Sequence, residues 1–265
     1  MSARVTAEDR PSSRTAERGV AVGFLALLPL FVAYECALAP DGPRNTAERV
    51  LALPIARVGL DVPLARAAIL AALALLALAT LFRVRSELAL LPRLVRIVGE
   101  GLAWGAVLGP LLLLVLRVAR LEPPVPELAA AAEPSAARLR DAALLCGGAA
   151  HEEIVFRVGI QSLAFLALSA LCRAVSAGAK LRAFVAETGS VAAGAAAFAT
   201  AHLGLAAAFV HARGEPFELR VFTWRAAAGI LLAVLFRWRG VGVAAWAHAG
   251  LDLALFLGAG PHVFL

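Results

Sequence analysis

The sequence predicts an all-α membrane protein, a polytopic helical bundle with about seven transmembrane helices, in the range six to eight. Three observations carry this reading. Apolar residues fill 61% of the 265 positions and the mean hydropathy is +0.82. Charged residues reach only 17%, where a soluble domain carries roughly 25%. Runs of roughly 20 apolar residues recur along the chain, the length at which a helix crosses hydrocarbon while satisfying its own backbone. No alternation of the β-barrel kind is visible.

Residues 1–18 are polar, with Arg4, Arg10, Arg14 and Arg18, and read as a disordered cytoplasmic tail. The first span runs from Gly19 to about Ala39. Its end, Ala37-Leu38-Ala39, mimics a signal-peptidase site, but Pro40 follows directly and argues against cleavage, so an uncleaved anchor is expected. A connector rich in Pro, Gly and Arg occupies 40–66, with a short interfacial helix expected at 47–58. The second span is 67–82. Arg83, Arg85, Arg93 and Arg96 mark a loop or an amphipathic surface helix before the third span at 101–116. The Pro-rich run from Leu121 to Pro134 breaks the chain and is expected to be a mobile loop. N-terminal spans thus occupy 19–130, and a second helical core occupies 135–260.

Between 135 and 175 a helical pattern exceeds one bilayer crossing, so an interfacial start or a break near Gly147-Gly148 is expected. Residues 176–190 read as a polar loop with Lys180 and Arg182. Spans at 191–209, 222–236 and 240–258 follow, the last two joined by a tight turn at Arg237-Trp238-Arg239. The distribution of basic residues favours a cytoplasmic N-terminus.

The net charge of +6 and the pI near 10.4 come mostly from arginines between apolar runs. There they anchor helix ends and meet anionic lipid. Basic residues interleaved with aromatics, the footprint of a nucleic-acid surface, are absent, so no nucleic-acid partner is expected. Cys36, Cys146 and Cys172 are scattered without CxxC spacing, which argues against disulfides and a thiolate metal site.

Chemistry concentrates in three polar islands. Glu152-Glu153-Ile-Val-Phe-Arg157 sets two carboxylates and an arginine in an apolar stretch; Phe198-Ala-Thr-Ala-His202 and His248-Ala-Gly-Leu-Asp252 follow downstream. Ionisable groups are costly in hydrocarbon and usually face a protein interior or a watery cavity, so each island is a functional candidate. On a helix, Glu153 and Arg157 share a face in the acid-before-base order of an ion pair. Glu152 is turned about 100° away and lacks such a partner. Two acids in different environments are what an assigned general base requires.

The plainer alternatives are also open. Glu153–Arg157 can be a structural tie between helices, His202 a packing residue, and His248–Asp252 an interhelical clip. The zincin pattern H-E-x-x-H is absent, since Val155 stands at its fifth position.

The three islands in this order, E-E-x-x-x-R, F-x-x-x-H and H-x-x-x-(N/D), resemble the CAAX-prenyl-protease and bacteriocin-processing family of intramembrane endopeptidases. The resemblance covers about residues 140–258. It implies peptide-bond hydrolysis by a glutamate-activated water. Glu152 would be the general base and His202 would help hold the water. Glu153 and Arg157 would shape and neutralise the site, and His248 would stabilise the oxyanion with Asp252. Eukaryotic CAAX proteases carry asparagine where this chain has Asp252; an ionised aspartate cannot donate to an oxyanion. Asp252 is therefore protonated, orients His248, or joins a metal site.

No cofactor is expected, although zinc on Glu152, His202 and His248 is the open alternative. The expected partners are a membrane-anchored or lipidated protein substrate and the lipid bilayer. The Ala- and Arg-rich composition points to a bacterial gene; with a bacterial host, the resemblance implies an inner-membrane enzyme with a maturation or sorting role. A non-catalytic immunity or scaffold protein of the same fold is the competing class. A proton-coupled carrier would be expected to show a repeat or paired broken helices, and neither is found.

Overall fold

The computed structural model describes residues 13–38, 44–83, 89–121, 135–210, 214 and 216–256, and every extended element among them is helical. In chain order these are α1 (Ser13–Leu25), α2 (Leu28–Ala37), α3 (Thr46–Arg57), α4 (Val62–Arg83), α5 (Leu90–Val118) and α6 (Ser135–Glu153). A π-helical segment (Ile154–Gln161) leads into α7 (Ser162–Ala174), then α8 (Ala179–Ala201), α9 (Gly204–Ala208), α10 (Leu219–Arg239) and α11 (Val241–Phe256). Six helical stretches among the described residues are long and apolar enough to cross a membrane. α11, with 16 residues, falls short of that length. This is the all-α polytopic bundle the sequence predicts.

The first span is a broken one. Pro29 stands in the first turn of α2 and brings no N–H, and Leu30 N–H bonds to Leu27 O rather than to Ala26 O one residue further back. That frees the carbonyl of Ala26, which accepts a 2.7 Å bond from the Trp246 indole of α11. The polar tail is also shorter than expected, because α1 starts at Ser13. Residues 1–12 and most of the Pro-rich break, 122–134, lie outside the described residues.

Three further readings need correction. α5 is one helix of 29 residues that takes in Arg93 and Arg96, which the sequence reading had placed in a loop or surface helix. At 1.5 Å per residue it is roughly 43 Å long, so its first turns can extend beyond a hydrocarbon core of about 30 Å. The polar stretch 176–190 is a turn followed by the start of α8, not a loop. Two of its polar side chains find partners: Thr188 Oγ1 bonds back to Phe184 O at 2.7 Å, and Glu187 takes Arg237 of α10 at 2.8 Å. Finally, the chain does not break at Gly147-Gly148. α6 runs through both, and the irregularity falls later, in the π segment that begins straight after Glu153.

Small residues decide which helices touch. Gly101, Gly105 and Gly109 form one stripe of α5 against α11, where a Cβ on Gly105 would sit 2.5 Å from Ala247 O and one on Gly109 2.9 Å from Leu251 Cδ1. With no hydrophobic drive between helices in lipid, such close backbone approach is what dispersion needs. Ala149 and Ala150 of α6 and Ala245 and Ala249 of α11 meet Leu27, Leu30 and Phe31 in one buried cluster. The acids at the end of α6 and the histidine of α11 are thereby brought side by side.

Candidate active site

All six residues singled out from the sequence fall in one region. Glu152 ends α6 with Glu153, Arg157 lies in the π segment, His202 caps the C-terminus of α8, and His248 and Asp252 lie on α11. His202 is thus not within a helix as the sequence suggested: α8 stops at Ala201, and the ring leaves the last turn while Nδ1 lies 2.9 Å from Phe198 O. A π turn at this place widens the backbone beside the acids, as such turns commonly do near functional groups.

Glu153, Arg157 and His248 form the buried foundation. Glu153 and Arg157 are fully buried and His248 is 4% exposed. One oxygen of Glu153 takes Arg157 Nε at 3.3 Å, and the other takes His248 Nδ1 at 3.0 Å. Since a carboxylate accepts, Nδ1 of His248 is the protonated nitrogen, which turns Nε2 towards Glu152 and Asp252. The orienting partner of His248 is accordingly Glu153. Asp252 Oδ2 stands 3.7 Å from His248 Nε2, too far for a direct hydrogen bond.

Glu152 occupies the space between the two imidazoles. Its Oε1 lies 3.9 Å from His202 Nε2 and its Oε2 lies 3.7 Å from His248 Nε2. Because a carbonyl can only accept, His202 carries its proton on Nδ1 when neutral and presents a free Nε2 lone pair to Glu152. Both separations exceed a direct hydrogen bond.

Phe198 holds the set together sterically. Its ring meets His202 at 5.0 Å, His248 at 5.5 Å and Phe156 at 5.4 Å, all edge-on, while the Arg157 guanidinium lies 5.4 Å from its centroid. The apolar ring beside the guanidinium is a favourable cation–π partner at this distance. His151, next to the acids in sequence, points elsewhere: it packs on Phe31 and Tyr34, and its Nδ1 bonds to Gly147 O at 2.8 Å.

Zinc needs its donors about 2.0–2.2 Å from one point; Glu152 presents one oxygen to His202 at 3.9 Å and the other to His248 at 3.7 Å. Among the described residues no group of three or more His, Cys, Asp or Glu side chains could hold a metal ion.

The sequence reading missed two residues, Asn45 and Gln161. Asn45, at the start of α3, donates from Nδ2 to Glu152 Oε1 at 2.8 Å. Gln161, fully buried in the π segment, donates to Ala233 O of α10 at 3.2 Å. One signal was available: these are the only asparagine and the only glutamine in the chain. Compared with protein-family models, curated proteins and solved structures, the chain matches none. The fold and the spans define a multi-pass integral membrane protein.

Proposed function

We propose that this protein is an intramembrane endopeptidase of the glutamate type, akin to the CAAX-prenyl-protease and bacteriocin-processing enzymes, acting near the membrane-associated end of another polypeptide. The observation that carries the reading is the position of Glu152, with one carboxylate oxygen towards each of two imidazole Nε2 atoms. A water between Glu152 and His202 would give a proton to Glu152 as its oxygen attacks the scissile carbonyl. His248, when protonated on both nitrogens, offers Nε2–H to the oxyanion that forms. Glu152 then returns the proton to the departing amide nitrogen, and the peptide bond breaks. Glu153 and Arg157 keep the ring of His248 in place. No step needs a metal. A membrane-anchored or lipidated protein in a bacterial inner membrane is the substrate class this reading favours.

The test compares wild-type protein with Glu152→Gln in native membranes, following the masses of all membrane proteins, with and without a chelator. The expected result is a defined cleavage that disappears in the variant and survives chelation. Cleavage by the variant would remove Glu152 as the base. Identical protein masses in both membranes would favour a non-catalytic scaffold of the same fold.

A further inference from the structure

The N-terminal half of the chain reaches into the site through one side chain. Asn45 precedes α3 as its N-cap, and its Oδ1 accepts from Ala47 N–H at 2.7 Å. A backbone N–H can only donate, so this bond fixes which end of the amide is oxygen. The NH2 end must then point the other way, where it meets Glu152 Oε1 at 2.8 Å. The backbone N–H of Asn45 is used too, donating to the Tyr34 hydroxyl at 3.1 Å. Every polar group by which this residue is held therefore also aims its amide.

The surroundings are shaped for that aim. Gly147 and Gly148 of α6, one turn before the acids, leave the room: a Cβ on Gly147 would overlap the Tyr34 side chain, and one on Gly148 would lie 3.0 Å from Asn45 Nδ2. Behind Asn45, the buried Arg66 of α4 ties Glu48 of α3 to Glu35 of α2, and Arg44 pairs with Glu48 at 3.1 Å. Three helices are thus clamped around the segment that presents the amide.

We infer that Asn45 is a positioning residue for Glu152: its amide holds Oε1 towards His202, leaving Oε2 towards His248. A carboxylate free to rotate would lose that division. This rests on Glu152 being the base, and the two claims are separable by experiment.

The first arm needs no substrate. Protein labelled only with 15N-asparagine gives one side-chain amide signal, since the chain has a single asparagine. Glu152→Gln should shift that amide proton, because a neutral acceptor replaces a charged one, while Glu187→Gln, at an exposed pair elsewhere, should leave it in place. An amide signal indifferent to Glu152→Gln would refute the contact.

The second arm uses the membrane protein whose processed form is lost in Glu152→Gln membranes. Asn45→Ser and Asn45→Thr both retain a helix-capping oxygen but carry no amide to donate to Glu152. Each should melt close to wild type and cut about tenfold or more slowly, with the loss in kcat rather than KM. Wild-type turnover in either would reduce Asn45 to a helix cap. If Glu152→Gln itself still cuts, the base assignment fails, and the amide signal still decides the contact.

Discussion

Glu153 and His248 sit 95 residues apart in the chain, and Oε1 of one lies 3.0 Å from Nδ1 of the other inside a buried pair. The contact joins the end of α6 to the middle of α11, and Arg157 closes it from the π segment at 3.3 Å. One carboxylate here does two jobs, balancing a guanidinium and selecting the tautomer of a histidine. Its neighbour Glu152, one residue earlier, is left facing the imidazoles. Adjacent acids on a helix point about 100° apart, and that rotation separates the acid that ties α6 to α11 from the one that faces the imidazoles.

Replacing Glu153 should therefore damage the fold more than replacing Glu152. Glu153→Gln leaves Arg157, whose two terminal nitrogens already have no hydrogen-bond partner among the described residues, without its counter-charge. Breaking one side of a buried pair costs about 3–5 kcal/mol. Glu152→Gln keeps an oxygen for Asn45 and should melt within a few degrees of wild type. Thermal unfolding of both variants in detergent checks the order; equal losses of stability would contradict it.

His202→Ala should abolish cleavage with little effect on stability. The ring is partly exposed, with a side-chain exposure of 27%, and its one bond is to Phe198 O in its own last turn. If His202 holds the attacking water as proposed, losing it should slow the reaction by roughly 10²–10⁴-fold. Time courses of substrate cleavage beside a melting curve provide the measurement, and retained turnover would place the water elsewhere.

Asp252→Asn should remain active, within about tenfold of wild type. Asp252 Oδ2 is 3.7 Å from His248 Nε2, and Glu153 already orients that ring, so the charge of Asp252 is not what holds it. An amide in its place adds a donor where the oxyanion would form. A loss of about 10²-fold or more, set against Glu152→Gln losses of the size expected of a general base, would assign Asp252 a proton-carrying role instead.

The six site residues were legible because apolar surroundings make ionisable groups conspicuous and because spacing of four places Glu153 with Arg157 and His248 with Asp252. What spacing could not show was the far partner: that Glu153, rather than Asp252, orients His248 depends on how α6 and α11 cross. The helix through 176–190 was hidden because polarity reads as loop until Glu187 finds Arg237 on α10. Asn45 was hidden for a stronger reason, since it lies 107 residues before Glu152 and outside all three islands. The glycine stripe on α5 was visible at spacing four, but its meaning required knowing that α11 lay against it.

That stripe gives the last prediction. Gly105 faces backbone on α11, with its would-be Cβ 2.5 Å from Ala247 O and 2.9 Å from Leu251 N. Backbone cannot move aside as a flexible side-chain tip can, so Gly105→Val must push α5 and α11 apart. Overpacking of this kind costs about 1–3 kcal/mol or more. Ala247 adjoins His248, whose Nδ1 must stay within about 3 Å of Glu153 to keep a hydrogen bond, so the same push should loosen the site. Gly105→Val should lower the melting temperature and turnover together, whereas Gly99→Val should lower neither by as much, since a Cβ there meets nothing within 4 Å. A Gly105→Val protein with wild-type stability and turnover would mean that α5 does not hold α11 in place.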